Sequence, residues 1–153
     1  MNEFKPFDDR LAGLIAALSP ASRRRMAADI AKKLRASQQR RIKMQKAPDG
    51  TPYAARKRQP VRGKKGRVKR EMFAKLRTNR FMKATGRDDA AVVEFAGKVQ
   101  RMAQVHQYGL KDKPGRNSEP MLYEVRQLLG FSQCDTQLIG DMVFEFLSSN
   151  AGN

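Results

Sequence analysis

The sequence predicts an α+β fold with a long N-terminal helical hairpin, a small and mainly antiparallel sheet, a C-terminal helix and a basic flexible arm. Three observations lead there. Apolar residues recur at helical spacing over the first 44 positions, a β-branched run bounded by turn residues sits in the middle, and a last helical stripe closes the chain. A chain of 153 residues can bury about 68–70% of its unfolded surface, enough for one core and too little for two comfortable ones. The expected organisation is a single domain over residues 1–153, with the basic arm at 46–70.

Phe4, Phe7, Leu11, Leu14, Ile15 and Leu18 form one stripe of a short first helix. Ser19 followed by Pro20 is an N-cap and a first helical position, where the missing proline N–H costs nothing. A second helix runs from Pro20 to about Met44. It sets Met26, Ile30 and Leu34 on one face beside Ala27 and Ala31, with Arg23, Arg24, Lys32, Lys33 and Arg40 opposite. The two helices read as a hairpin with facing apolar sides.

The helical pattern ends after Gln45. Asp49-Gly50 followed by Pro52 is a turn in which Gly50 takes a positive φ without steric cost. Residues 60–70 have two valines as their apolar content and repelling like charges, which cannot offset the cost of ordering the backbone, so the arm is expected to be mobile. A third helix is expected over 71–81, with Met72, Phe73, Leu76 and Phe81 as contacts. Residues 90–97, with Val92 and Val93, read as a strand after the turn at 86–89, and 81–85 as its hairpin partner.

Residues 98–108 place Val99, Met102, Ala103 and His106 on a helical face that ends at Gly109, a C-cap. A loop around Pro114-Gly115 fills 110–120, and 123–131 reads as a second strand region, with helix as the alternative for so short a run. Ser132 with Asp135 three positions on forms a capping box with the shorter acid. Leu138, Ile139, Met142, Val143, Phe146 and Leu147 then make a stripe wider than one packing surface requires. Phe146 is therefore a candidate assembly contact.

Charge divides the chain sharply. The formal net charge is +17, and residues 23–70 hold 19 basic and 2 acidic side chains against 13 of each sign elsewhere. This is a neutral body with one basic region, whose field attracts polyanions or an acidic protein face. Arg56, Lys57, Arg58, Arg62, Lys64, Lys65, Arg67, Lys69 and Arg70 are the candidates for contact with DNA phosphates or an acidic partner.

Catalysis finds little to work with. His106 is the sole histidine and Cys134 the sole cysteine, so neither a multi-histidine metal centre nor an intrachain disulfide is available. The run RGKKGR lacks the strand-loop-helix setting that cradles phosphate, and the pairs Asp8/Asp9 and Asp88/Asp89 are adjacent rather than spaced to aim at one site. No zinc-finger pattern or aromatic-rich strand signals base recognition. The reading is no enzyme, no cofactor and no metal. The N-terminal apolar stretch is too short and interrupted to span a bilayer, and Asp8 and Asp9 do not fit a secretion signal, so a protein used inside a cell is expected.

Three stretches together carry a resemblance: PDGTPYAARK at 48–57, MAQVHQYG at 102–109 and RQLLGFSQCDTQLI at 126–139. Their order along the chain resembles the phage virion morphogenesis family, the tail-completion proteins of contractile-tailed phages. The resemblance implies a non-enzymatic structural protein of the virion, at the tail top or neck, assembled in the host cytoplasm and needed to finish tails and form the head–tail junction. It implies partners: other copies in a hexameric ring, the tail tube or tail terminator, neck or connector proteins, and genomic DNA without sequence preference. Pro48, Asp49, Gly50, Thr51, Pro52 and Tyr53 match the family's turn after the long helix. His106, Gln107, Tyr108 and Gly109 match its histidine-aromatic-glycine stretch, and Arg126, Leu129, Gly130 and Phe131 its arginine and leucine-glycine stretch. Where related proteins often have proline after that arginine, this chain has Gln127. Tyr108 is expected to bury its ring at an interface edge, and His106 to be a packed residue. The alternative is a stand-alone, sequence-independent DNA-binding protein.

Overall fold

The computed structural model describes residues 5–56 and 71–150. Its elements are α1 (Lys5–Ala16), α2 (Pro20–Lys43), β1 (Met82–Gly86), β2 (Ala91–Phe95), α3 (Gln100–Tyr108), β3 (Lys111–Asp112), β4 (Met121–Leu122) and α4 (Gln133–Asn150), with a 3-10 turn at Gly97–Val99 before α3. The strands form two antiparallel pairs, β1 with β2 and β3 with β4. Phe4, the side chain of Phe7, and residues 57–70 of the expected arm over 46–70 lie outside the described residues.

The chain forms two compact units. The first comprises Met1–Arg35, Ala84–Val93 and Gln133–Asn153, and the second Ala36–Lys83 and Glu94–Ser132. Helix α2 and the β1–β2 hairpin contribute residues to both.

Unit 1 closes over Met26, Ile30, Leu34 and Val143, against which Leu11, Ile15, Leu18, Ala91, Val93, Ile139, Met142, Phe146 and Leu147 pack. The helical hairpin read from the sequence is present. Ser19 caps α2, its Oγ accepting the Ser22 backbone N–H at 3.1 Å, which satisfies one of the donors that a helix start leaves orphaned. Burying each of these side chains contributes about 1.5–3 kcal/mol when complete. Gly86 permits the closest approach in this unit: a Cβ there would lie 2.2 Å from the Ala28 backbone nitrogen in α2. The α4 stripe is divided, with Val143 buried and Phe146 half-buried beneath the Arg25 guanidinium, 5.9 Å from its ring centre.

Unit 2 buries Ile42, Tyr53, Leu76, Met82, Phe95, Ala103, Val105 and Leu128. Helix α2 ends in a paired hydrogen-bond closure, Lys46 N–H to Arg41 C=O at 3.3 Å and Gln45 N–H to Ile42 C=O at 2.8 Å. This pattern places the residue after the cap in left-handed conformation, a position glycine usually fills. Gln45 occupies it at φ 58°. Its side chain compensates, Nε2 donating to the carbonyls of Ile42 at 2.8 Å and Met72 at 2.9 Å.

Two expected elements differ. Residues 71–81 are a series of turns rather than a helix, because Phe73 takes φ 68°. That conformation stops a helix, and it lets the Phe73 ring stand edge-on between Tyr53 and His106, at centroid distances of 5.7 and 4.9 Å. Ring packing across the unit thus overrides local propensity. Residues 123–131 form neither strand nor helix. The Tyr123 and Arg126 N–H groups reach the carbonyls of Leu110 and His106, and side chains hold the backbone of 127–130 instead of a partner strand. The expected loop at 110–120 is bounded by the two-residue pair of β3 and β4, with Lys111 opposite Leu122 and Asp112 opposite Met121.

Helix α3 forms as read and ends at Gly109, which is left-handed at φ 64° and ψ 55° and donates its N–H to the Val105 carbonyl. Its buried face is Ala103 and Val105, whereas Met102 faces solvent. The hydrophobic register is therefore shifted from the one the sequence pattern favours.

Candidate assembly surface

The first two motif stretches and residues 126–132 of the third meet in unit 2. The turn is built first. Asp49 Oδ1 accepts the Thr51 N–H at 2.9 Å, Gly50 sits at φ 90°, and Ala47 N–H reaches the Thr51 carbonyl at 2.8 Å. The Thr51 hydrogen bond holds the Asp49 carboxyl below its ordinary pKa. Lys46 pairs with Pro52 in an antiparallel bridge, and Tyr53 N–H donates to the Gln45 carbonyl at 2.8 Å. Residues 46–56 are thus a hydrogen-bonded turn at the foot of the long helix.

Tyr53 is buried, which raises its pKa against the opposing influence of Arg41 and keeps the phenol protonated at neutral pH. It therefore donates, to the Gln127 carbonyl at 2.7 Å. Arg41 adds Nη1 to the Lys46 carbonyl at 2.9 Å and Nη2 to the Leu128 carbonyl at 2.6 Å. Gln107 takes both the Leu128 and Leu129 N–H groups on Oε1, at 2.8 and 2.9 Å, and returns Nε2 to the Leu129 carbonyl at 2.9 Å. The Gln38 Oε1 accepts the Gly130 N–H at 3.1 Å. Residues 127–130 thereby satisfy their backbone through the side chains of Gln38, Arg41, Tyr53 and Gln107. Gly130 is also pressed on Pro48, whose Cγ would lie 2.6 Å from an added Cβ.

Arg126 is buried and makes no ion pair among the described residues. Its Nε donates to the Ala54 carbonyl at 2.9 Å and its Nη2 to that of Ala55 at 3.2 Å, while its own N–H reaches the His106 carbonyl at 2.8 Å. The His106 ring stands edge-on to Phe73 and to Tyr123, 5.2 Å away. Burial, then the Arg126 and Arg56 charges, lower the His106 pKa. Among the described residues its Nδ1 is buried without a hydrogen-bond partner.

The remaining motif residues point outward. Tyr108 and Phe131 are exposed, at 66% and 69%, in the single chain. Asp49, Gly50, Thr51 and Pro52 are at the surface, and Arg56 is exposed. Lys57, Arg58, Arg62, Lys64, Lys65, Arg67, Lys69 and Arg70 lie outside the described residues. Phe146 belongs to unit 1 and is not part of this convergence. Sequence reading missed Gln38 and Arg41, whose partners at Gly130 and Leu128 are 92 and 87 residues away, and took Phe73 for a helix contact rather than the ring between Tyr53 and His106. It also missed Phe144, which is exposed beside the α4 stripe.

A family model for the phage virion morphogenesis family matches residues 2–148, which include the turn, the histidine stretch and the arginine stretch. The chain belongs to the phage virion morphogenesis family. Membership makes it a structural, non-enzymatic morphogenesis protein. It is similar to the tail completion protein S of Escherichia phage P2, with 52% identity over 148 residues, 96% of this chain and 99% of that protein. No solved structure matches it.

Proposed function

We propose that this protein completes the phage tail, joining a ring of its own copies at the tail top and contributing to the neck or head–tail junction. The observation that carries this reading is the 52% identity, over nearly the full length of both chains, with a protein named for tail completion. The fold suits a structural part. Polar clamps fix residues 127–130 on the long helix, and that rigid frame presents Tyr108 and Phe131 outward, large side chains of the kind that anchor interfaces.

The basic region supports a second component of the reading, contact with DNA or with an acidic partner. Net charge is +17, and copies gathered in a ring would repel one another unless polyanions neutralised them. Such contact is with phosphates, so it is indifferent to sequence and weakens steeply between about 50 and 200 mM salt.

The test is addition of the purified protein to tails assembled without it, followed by mixing with filled heads and electron microscopy. Restored head–tail joining, with density for several copies at the tail top, is the expected result. Tails that join heads equally well without the protein would overturn the reading. Duplex binding with strong preference for one short sequence would favour the stand-alone DNA-binding alternative.

A further inference from the structure

Self-association, as read above, requires two surfaces that fit each other. Unit 2 offers a groove of about 510 Å³, lined among others by Met72, Phe73, Met102, Met121 and Leu122. Three methionines make it adaptable, since the unbranched thioether fills irregular space and favours aromatic edges. Met102 and Leu122 are 54% and 62% exposed on it. Arg56 and Lys75 also line it, against Glu124 and a Glu71 that is already paired with Arg77 at 3.4 Å.

Helix α4 offers the complement. Phe144 is 72% exposed; Asp141, three positions before it, lies on the same side, and Glu145 stands beside it, both exposed. A Cβ on Gly140 would meet nothing within 4 Å, so the surface beside them is open. In a chain of net charge +17, α4 has Asp135, Asp141 and Glu145 and no Lys or Arg. A bare phenylalanine flanked by acids suits an apolar groove edged by cations far better than DNA phosphates do.

We propose that copies of this chain associate head to tail, with the α4 face around Phe144 of one copy seated in the methionine-lined groove of the next. Asp141 and Glu145 then meet Arg56 and Lys75 across the contact. The two patches differ, so each association leaves a free groove at one end and a free Phe144 at the other, and growth ends only by closing a ring. This inference rests on the self-association reading and specifies its geometry.

Sedimentation of the full-length protein tests it, comparing wild type with Phe144→Ser and Leu122→Glu, each checked for an unchanged melting transition. Each variant should weaken self-association at least about tenfold. Mixed in equal amounts they should form dimers and nothing larger, because one intact groove and one intact Phe144 remain between them. If Leu122→Glu fails to melt cooperatively, Met102→Glu takes its place. A wild type that stays monomeric up to about millimolar concentration overturns the self-association reading and this contact with it. Wild-type association that both variants retain overturns this contact alone. Weakened variants that the mixture does not rescue overturn the head-to-tail arrangement.

Discussion

Unit 1 closes over Met26, Ile30, Leu34 and Val143 with apolar side chains, whereas unit 2 fixes residues 127–130 with hydrogen bonds from Gln38, Arg41, Tyr53 and Gln107. Apolar contact is non-directional and scales with area, so it tolerates a change of shape that keeps the volume. A side chain that serves a buried backbone does not, since its loss leaves donors and acceptors without partners. The same chain thus contains a forgiving region and an exacting one.

Gln107→Leu should show the largest effect. It keeps the volume, orphans the Leu128 and Leu129 N–H groups, leaves the Leu129 carbonyl with the Gln127 amide as donor, and should cost roughly 3–5 kcal/mol in denaturant unfolding. Gln107→Glu, which keeps the accepting oxygen, should lose less. A Gln107→Leu variant as stable as wild type would erase the contrast between the units.

Gly86→Ala marks the limit of unit 1's tolerance. The new Cβ would lie 2.2 Å from the Ala28 nitrogen and 2.7 Å from the Arg24 carbonyl oxygen, both helix backbone that cannot rotate aside. Thermal unfolding should report roughly 2–3 kcal/mol of destabilisation. Leu34→Met, by contrast, exchanges one flexible apolar side chain for another in the same core. Its cost should stay below about 1.5 kcal/mol, and a larger one would place unit 1 among the exacting regions.

The smallest effect separates the two regions by pH. The lowered His106 pKa means that the unfolded chain binds the proton more readily than the folded one. Stability is therefore full above the ordinary histidine value of 6.5 and declines as pH falls from there toward the folded pKa. The melting temperature of wild type should drop through that window more than that of His106→Gln. Parallel profiles would show that His106 titrates alike in both states.

Periodicity made the helices legible. Helix α2 and its Ser19 cap, the β1–β2 hairpin, the Gly109 cap and the start of α4 after Ser132 follow from local spacing and turn chemistry, which act within a few residues. Residues 71–81 were not legible, because the φ of Phe73 answers to rings at 53 and 106. Residues 123–131 read as a strand, yet the holders of their backbone at 128–130 are Gln38, Arg41 and Gln107, and polar side chains facing inward look in a sequence like any solvated face. Arg126 shows the same ambiguity: it counts toward the charge balance while lying buried on two carbonyls. Of the candidate surface, the three motif stretches were visible and their convergence was not.

The fastening of Ala54 and Ala55 by Arg126 has a mechanical side. Met72 is fastened in turn by Gln45, so both ends of the chain between Arg56 and Glu71 are moored to the same unit. Doubling a closed loop costs only about 0.6 kcal/mol. The number of residues between the two moorings can therefore change at small cost, while the frame that holds them keeps its form.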